Sequence, residues 1–457
     1  MYGPPPGTRA VVFVDDLNMP MVEEYGAQPP IELLRQMIDN NGWYNLEDNM
    51  FMQLVDTMLV AAMGPPVGGR NPISARIKRH FNAFCFTEIP TDTLKRIFSS
   101  IIDWFADGND FAEAVRRVAK QSVVSATLDL YSQAQESLRP TPAKSHYTFN
   151  LRDFSRVVQG VLMAKPADVD TPQVFARLWC HEVMRVFYDR LTDQKDRGWL
   201  IDELGTALKE HFGEESSDLF ADLPELKWRV IRRASKPKKR EGDQNGNDGD
   251  NADDSAGNAG QVIPAAAADS DDTPPDDLVL GHDEMRLLFW GDFFTPGATK
   301  RNYRQVGSAD ELIGAVEVSL EDYNSQSKNP MDLVPFLFFL EHVSRIARVL
   351  KMPGGHSLLV GVGGSGRQCA TRLATFMAGY KLLTIELSKS YGTEEWQEDM
   401  KRIMKESGTG PSPCVLLFND TQIKWQGMVE DINNVLNSGE VPNLFAADER
   451  AEIYEAV

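Results

Sequence analysis

At 457 residues the chain exceeds what one compact core supports and suggests two to four domains. Its 42% hydrophobic and 25% charged residues are ordinary for globular protein, while a formal net charge of −20 argues against nonspecific binding to nucleic acid or anionic membranes. Eleven acidic residues fall between Glu241 and Asp277, where Lys and Arg are absent, so the rest of the chain carries only −9.

Four cysteines, Cys85, Cys180, Cys369 and Cys414, are scattered without C-x-x-C spacing, which fits reduced thiols and neither a zinc site nor a disulfide framework. No apolar run is long enough to span a bilayer, and YGPPPGTRA after Met1 is not a signal peptide. A cytosolic protein, or one attached to a cytosolic assembly, is expected.

In chain order, AVVFVDD (10–16) reads as a buried strand delivering Asp15 and Asp16 at its C-terminal end. In a phosphate-loop ATPase such a strand supplies an Asp to the magnesium shell and a neighbouring acid that orients the attacking water. Asp is shorter than the more usual Glu at the second place, so slow hydrolysis is expected; the plain alternative is a turn that starts at the two acids. IELLRQMIDNNGWY has helical spacing, TMLVAAMG (57–64) reads as another buried strand, and PPVGGRNPISARIKRHF leads through a basic helix into a third strand, NAFCFTEI. Arg76 and Arg79 lie three apart on one face of that helix, where an ATPase module presents an arginine to the nucleotide of its neighbour. The alternative is that both solvate the helix, and His80 beside them reads as structural. From about 92 to 234 apolar residues recur every three or four positions, which predicts a helical lid broken at RPTPAKSHYTF, with His181 and Glu182 in packing or surface roles.

KPKKR (236–240) opens an acidic, Gly/Asn/Ala-rich tract with almost no large apolar residue, expected to be disordered; a nuclear-localisation reading of KPKKR is weaker than that of a solvated flank. Helical patterns resume at SADELIGAVEVSLEDYNSQ and PFLFFLEHVSRIARVLKM. They lead to SLLVGVGGSGRQ (357–368), an apolar run, a glycine turn and the start of a helix. The spacing from Gly361 to Gly366, with Gly363, Gly364 and Ser365 between, is that of G-x-x-x-x-G-K-[ST], whose backbone N–H groups cradle phosphates at a helix N-terminus. Arg367 replaces the lysine and Gln368 the magnesium-binding hydroxyl, so nucleotide binding is expected to survive better than hydrolysis. The alternative is a glycine turn set by tight backbone packing. KLLTIELS (381–388) and CVLLFND (414–420) read as further strands; Asp420 ends the second, but Thr421 stands where a water-orienting acid belongs.

VVFVDDLNMP and VLLFNDTQI are one device used twice, a strand ending in acid followed by an amphipathic helix. The chain therefore reads as the back half of one ATPase module, its lid, and the front half of the next.

Tandem diverged modules of this kind resemble the motor ring of dynein heavy chains. VVFVDDLNMP, YGAQPPIELLRQ, GGRNPISARIKRHFN, PTPAKSHYTFNLRDFSRVVQG, LLVGVGGSGRQ, LSKSYG, FNDTQI and GEVPNLF are similar, in this order, to the third and fourth modules, and the VDDLNMP and GGSGRQ forms look axonemal rather than cytoplasmic. The resemblance implies an α/β fold of P-loop AAA+ modules, each a parallel sheet flanked by helices, joined by an all-α lid and carrying one disordered acidic insertion. It divides the chain into the C-terminal half of the third module's large subdomain (1–105), its lid (106–235), the insertion (236–280), a connecting helical segment (281–330) and the N-terminal half of the fourth module (331–457).

By the same resemblance Asp15 and Asp16 are the Walker B acids of the third module, Gly361 to Gln368 the Walker A loop of the fourth, and Asp420 its Walker B acid. ATP or ADP is the implied ligand, with Mg²⁺ through Asp15 and Asp420. Arg76 or Arg79 would act on the site of the preceding module. Implied partners are other AAA+ modules of the same heavy chain, dynein intermediate and light chains, and microtubules through a stalk that follows the fourth module. Nucleic acid and membrane are not among them, and the implied place is the cytoskeleton of a cilium or flagellum. A scaffold that keeps the AAA+ fold without nucleotide at the fourth site is the competing reading; Arg367 and Gln368 favour it and the preserved glycines favour binding, while Arg367, Gln368 and Thr421 together argue against hydrolysis there. An independent soluble ATPase is disfavoured because no single module here holds loop, acids and arginine together.

Overall fold

The computed structural model describes residues 2–46, 48–66, 70–220, 288–294, 301–327 and 329–456. The acidic tract at 236–280 and KPKKR lie outside these residues. The chain forms two compact units, residues 1–162 with 182–212, and residues 163–181 with 213–457.

In the first unit β1 (Ala10–Val14) precedes α1 (Pro29–Asn40), whose proline lies in the first turn, where no backbone donor is lost, and whose end at Asn41 is left-handed with φ 52°. A hairpin of β2 (Gly42–Tyr44) and β3 (Phe51–Gln53) follows. Next, β4 (Thr57–Ala61) pairs in parallel with β1, Ala10 opposite Thr57 and Val14 opposite Ala61. The one-turn helix α2 (Ala75–Lys78) then adds Ile77 to a cluster with Leu17, Ile31 and Ile73, against which Val14 and Ala61 pack.

Of the buried strands expected at 10–16 and 57–64, only 10–14 and 57–61 are strand, and they are not buried. Val11 is 61% and Phe13 62% exposed, because the apolar cluster covers only the C-terminal end of the pair. The strand expected at NAFCFTEI does not form. No backbone hydrogen bond joins residues 82–89 to a neighbour among the described residues, and Phe86 is 95% exposed. A strand exists only through its ladder, so apolar alternation without a partner leaves an extended segment.

The expected helices follow: α3 (Thr91–Gly108), α4 (Glu113–Ser137), α5 (Leu151–Val161), α6 (Pro172–Val186), α7 (Gln194–Ala207) and α8 (Ser216–Phe220). Leu94, Phe98, Ile102 and Phe105 make the buried stripe of α3, and Phe98 meets Phe154 of α5 with ring centroids 4.3 Å apart. The break expected at RPTPAKSHYTF is present between α4 and α5 and ends in a capping box, Asn150 with Asp153. His181 and Glu182 are both buried, and the Nδ1 of His181 lies 3.0 Å from the carbonyl oxygen of Leu288.

In the second unit the segment expected to be helical from 281 to 330 contains a short antiparallel pair, β5 (Trp290–Gly291) with β6 (Arg304–Gln305), before α9 (Ala309–Gln326). Then come α10 (Leu337–Lys351), α11 (Arg367–Ala378), β7 (Lys381–Thr384), α12 (Thr393–Thr409), β8 (Cys414–Leu417), α13 (Gln426–Ser438) and α14 (Ala447–Ala456). β7 and β8 are parallel, Lys381 opposite Cys414. Leu312 and Val316 of α9, Phe339, Leu340, Val343 and Ile346 of α10, and Leu373, Ala374 and Met377 of α11 share one core. That core fixes the helix on which the glycine loop opens. The apolar run Leu358–Val362 before the loop is not a paired strand, and Val360 is 86% exposed, again for want of a ladder partner among the described residues.

Candidate functional site

Parallel strands deliver ligand-facing groups at their C-terminal ends, and β1 with β4 does so here. The loops that leave them are laced together: Ala62 N–H donates to Val14 O at 2.9 Å, Leu17 N–H to Ala62 O at 3.0 Å, and Asn71 N–H to Asn18 O at 2.9 Å. Asn18 is buried and donates its amide to Gly64 O at 2.8 Å. Asp15 and Asp16 sit on this laced turn, Asp16 in the left-handed region with φ 50°. Asp15 accepts the N–H of Asp16 at 3.0 Å. Asp16 accepts from the Arg70 guanidinium at 3.0 Å, an ion pair across 54 residues of sequence. Arg70 lies against Gly64, where an added Cβ would come within 2.2 Å of the guanidinium. Asp15 is exposed, with one carboxylate oxygen uncommitted among the described residues, while Asp16 is ion-paired. Arg70 was not singled out by sequence reasoning; its only signal is its place in the G-G-R-N loop after β4.

Arg76 of α2 and Arg79, which caps its end, separate. Arg76 is exposed and makes no ion pair among the described residues. Arg79 pairs with Asp39 of α1 at 3.1 Å, and His80 reaches the same carboxylate oxygen at 2.8 Å, while Arg35 holds the other at 2.7 Å. Burial pushes the Asp39 carboxyl up, but hydrogen bonds from Arg35 and Arg79 and the charges of His80 and Arg79 together hold it below the ordinary carboxylate range. His80 is therefore part of a structural tie between α1 and α2.

In the second unit the glycine loop turns as its sequence requires. Gly364 and Gly366 have φ of 78° and 77°, values open to glycine and costly for other residues. Gly366 caps α11, and Ala370 N–H donates to its carbonyl at 2.9 Å. The N–H groups of Gly363, Gly364, Gly366, Arg367 and Gln368 donate to no acceptor among the described residues. A Cβ added at Gly363, Gly364 or Gly366 would meet nothing within 4 Å, so the loop faces open space. Five unspent donors at the positive end of a twelve-residue helix make an anion cradle. Ser365 lies within the turn, its N–H reaching Val362 O at 3.4 Å. The Arg367 guanidinium rests 3.5 Å from Leu359 O and 3.4 Å from Val362 O.

Asp420 follows β8 and starts a 3₁₀ turn in which one carboxylate oxygen accepts the N–H of Thr421 at 3.0 Å. No hydrogen bond joins it to the glycine loop among the described residues. Nearby, Gln422 donates to Ile385 O at 2.6 Å, tying the segments that follow β7 and β8. Among the described residues no group of three or more His, Cys, Asp or Glu is placed to hold a metal ion. No helix is long and apolar enough to cross a membrane among the same residues.

Known proteins are similar to this chain along its whole length. Residues 1–89 match the family described as P-loop containing dynein motor region, residues 108–197 the dynein heavy chain ATPase lid domain, and residues 331–457 the P-loop containing dynein motor region D4. Mouse dynein axonemal heavy chain 3 is 44% identical over 455 residues, covering 100% of this chain and 10% of that protein. Rat dynein axonemal heavy chain 1 is 40% identical over 463 residues, 99% of this chain and 9% of the relative, and human dynein axonemal heavy chain 12 is 41% identical over 403 residues, 88% and 11% respectively. The chain spans about a tenth of the length of these curated relatives. With three motor-region matches in sequence order and full-length similarity of this degree, the chain belongs to the axonemal dynein heavy chain family, in the P-loop AAA+ part of its motor region.

Proposed function

We propose that this chain forms part of the ATP-driven motor ring of a microtubule-based axonemal dynein heavy chain and contributes regulatory rather than power-generating nucleotide sites. The observation that carries this reading is the glycine loop: five backbone donors without acceptors among the described residues, at the N-terminus of a helix whose buried face is locked into the core. Gly361, Gly363, Gly364, Ser365, Gly366, Arg367 and Gln368 hold the phosphates of ATP or ADP. Asp15 is the Walker B acid of the third module at the metal-organising place and Asp16 the second acid there, while Asp420 stands at the Walker B place of the fourth module. Arg70 keeps Asp16 from orienting a water until the pair opens, which suits a slow, regulatory site. Of the two candidate fingers, Arg76 serves the neighbouring module, because Arg79 is committed to Asp39.

The partners of this reading are the other AAA+ modules of the heavy chain, intermediate and light chains, and microtubules reached through a stalk; the location is the axoneme of a cilium or flagellum. A scaffold role without nucleotide at the fourth site is the second reading, and Thr421 beside Asp420 favours it. Photolabelling the chain with an azido-ATP and mapping the modified peptides tests the two. Label on peptides around 353–372, displaced by ADP, supports the nucleotide site; a folded chain labelled nowhere in the second unit supports the scaffold.

A further inference from the structure

The fourth-module site lacks two of the groups that hold a divalent cation in a loop of this kind, the loop hydroxyl and the second acid. In a loop of this spacing a hydroxyl directly after the lysine coordinates Mg²⁺. Gln368 stands there, exposed and without a hydrogen bond among the described residues. The next hydroxyl along the helix, Thr371, donates to Arg367 O at 2.9 Å. Asp420 spends one oxygen on the N–H of Thr421, and Thr421 brings no charge. Mg²⁺ demands near-octahedral oxygens and gives up its waters reluctantly, so a site that offers it neither the loop hydroxyl nor a second acid, and only the other carboxylate oxygen of Asp420, gains little from it. The residues present do not fit the metal that the family implies.

What the loop offers instead is N–H groups and one weakly held cation. The two contacts of the Arg367 guanidinium, 3.5 and 3.4 Å, are at the long limit of hydrogen bonding, so little holds the side chain back from a ligand. Its planar fork matches phosphate oxygens two at a time. One guanidinium, with the roughly half charge of the helix end, balances the terminal phosphate of a diphosphate. A triphosphate adds further negative charge with no group opposite it.

We propose that the loop Gly361–Gln368 binds a nucleoside diphosphate free of metal, with Arg367 in the place of the cation. This deepens the nucleotide-binding reading above and rests on it. The test titrates the 457-residue chain with ADP and with ATP by calorimetry, in millimolar Mg²⁺ and in EDTA, beside Arg367→Ala checked for native circular dichroism. Expected are ADP binding in EDTA at least as tight as in Mg²⁺, weaker binding of ATP than of ADP in EDTA, and a loss of about tenfold or more in the variant. Wild-type binding that Mg²⁺ tightens by about tenfold or more, or a preference for ATP in EDTA, overturns this inference and leaves the nucleotide site standing. A natively folded chain that binds neither nucleotide in either buffer overturns both.

Discussion

Replacing Arg190 with Met removes one half of a buried ion pair in the lid. Asp153 is 2% exposed and receives two guanidinium N–H groups from Arg190, at 2.6 and 3.1 Å. The same guanidinium donates to Thr148 O at 3.2 Å and lies 5.1 Å from the centroid of Phe149. Breaking such a pair strands a buried carboxylate, at a cost of ~3–5 kcal/mol. Asn150 N–H still reaches Asp153 at 3.0 Å and Arg156 stands at 3.5 Å, so the lower end, about 3 kcal/mol, is expected. Two compact units make a single global unfolding free energy ill defined, so the assay is hydrogen exchange read by mass spectrometry on peptides covering α5 and residues 187–197. A loss of about 3 kcal/mol accelerates exchange there by roughly a hundredfold. Arg190→Met with Asp153→Asn, which removes the stranded charge, recovers part of the loss, with a coupling on the order of 2 kcal/mol. Exchange in Arg190→Met within about threefold of wild type would refute the reasoning, because it would mean that the carboxylate finds water or Arg156 at no cost.

Other expectations follow from the same geometry. Gly160→Ala gains about 1 kcal/mol of helix propensity. Its Cβ would nevertheless lie 1.7 Å from a carboxylate oxygen of the fully buried Glu182, so a net loss is expected and a raised melting temperature would count against it. Cys85 is exposed and should react with an alkylating reagent within the native chain, whereas burial pushes the Cys180 thiol far up and should leave it unmodified until denaturant is added, as peptide mapping would show. Asp39 has a lowered pKa in the folded state, so its contribution is present above the ordinary carboxylate pKa of about 3.9 and is lost as pH falls through the lowered value. Protection of the α1 amides, measured against their intrinsic exchange rates at each pH, should therefore fall on acidification, and Asp39→Asn should flatten that dependence; an unchanged profile would sink the assignment.

The parts legible in the sequence were those fixed by local rules. Helical period placed α3 to α6, the proline-rich break before Asn150 was read from its residues, and the glycines from 361 to 366 announced a turn. The pairing of β1 with β4 was foreshadowed by two apolar runs, each leading to a loop. What escaped was non-local. NAFCFTEI and Leu358–Val362 have strand composition, but pairing depends on a neighbour that composition does not reveal. Arg70 meets Asp16 across 54 residues and Arg79 meets Asp39 across 40, and nothing in their spacing distinguishes them from solvated charges. The acids were therefore readable as candidates, whereas their present state, Asp16 ion-paired and Asp15 open, was not.

The claim at the centre of this account is that the glycine loop holds nucleotide. The measurement closest to it is titration of the chain with a fluorescent ADP analogue, in parallel with Gly366→Val, a β-branched residue placed where φ is 77°. The account predicts saturable binding that unlabelled ADP displaces and that the valine abolishes while the circular dichroism spectrum stays native. Absence of binding by the folded wild-type chain, or binding that survives the valine unchanged, would contradict it.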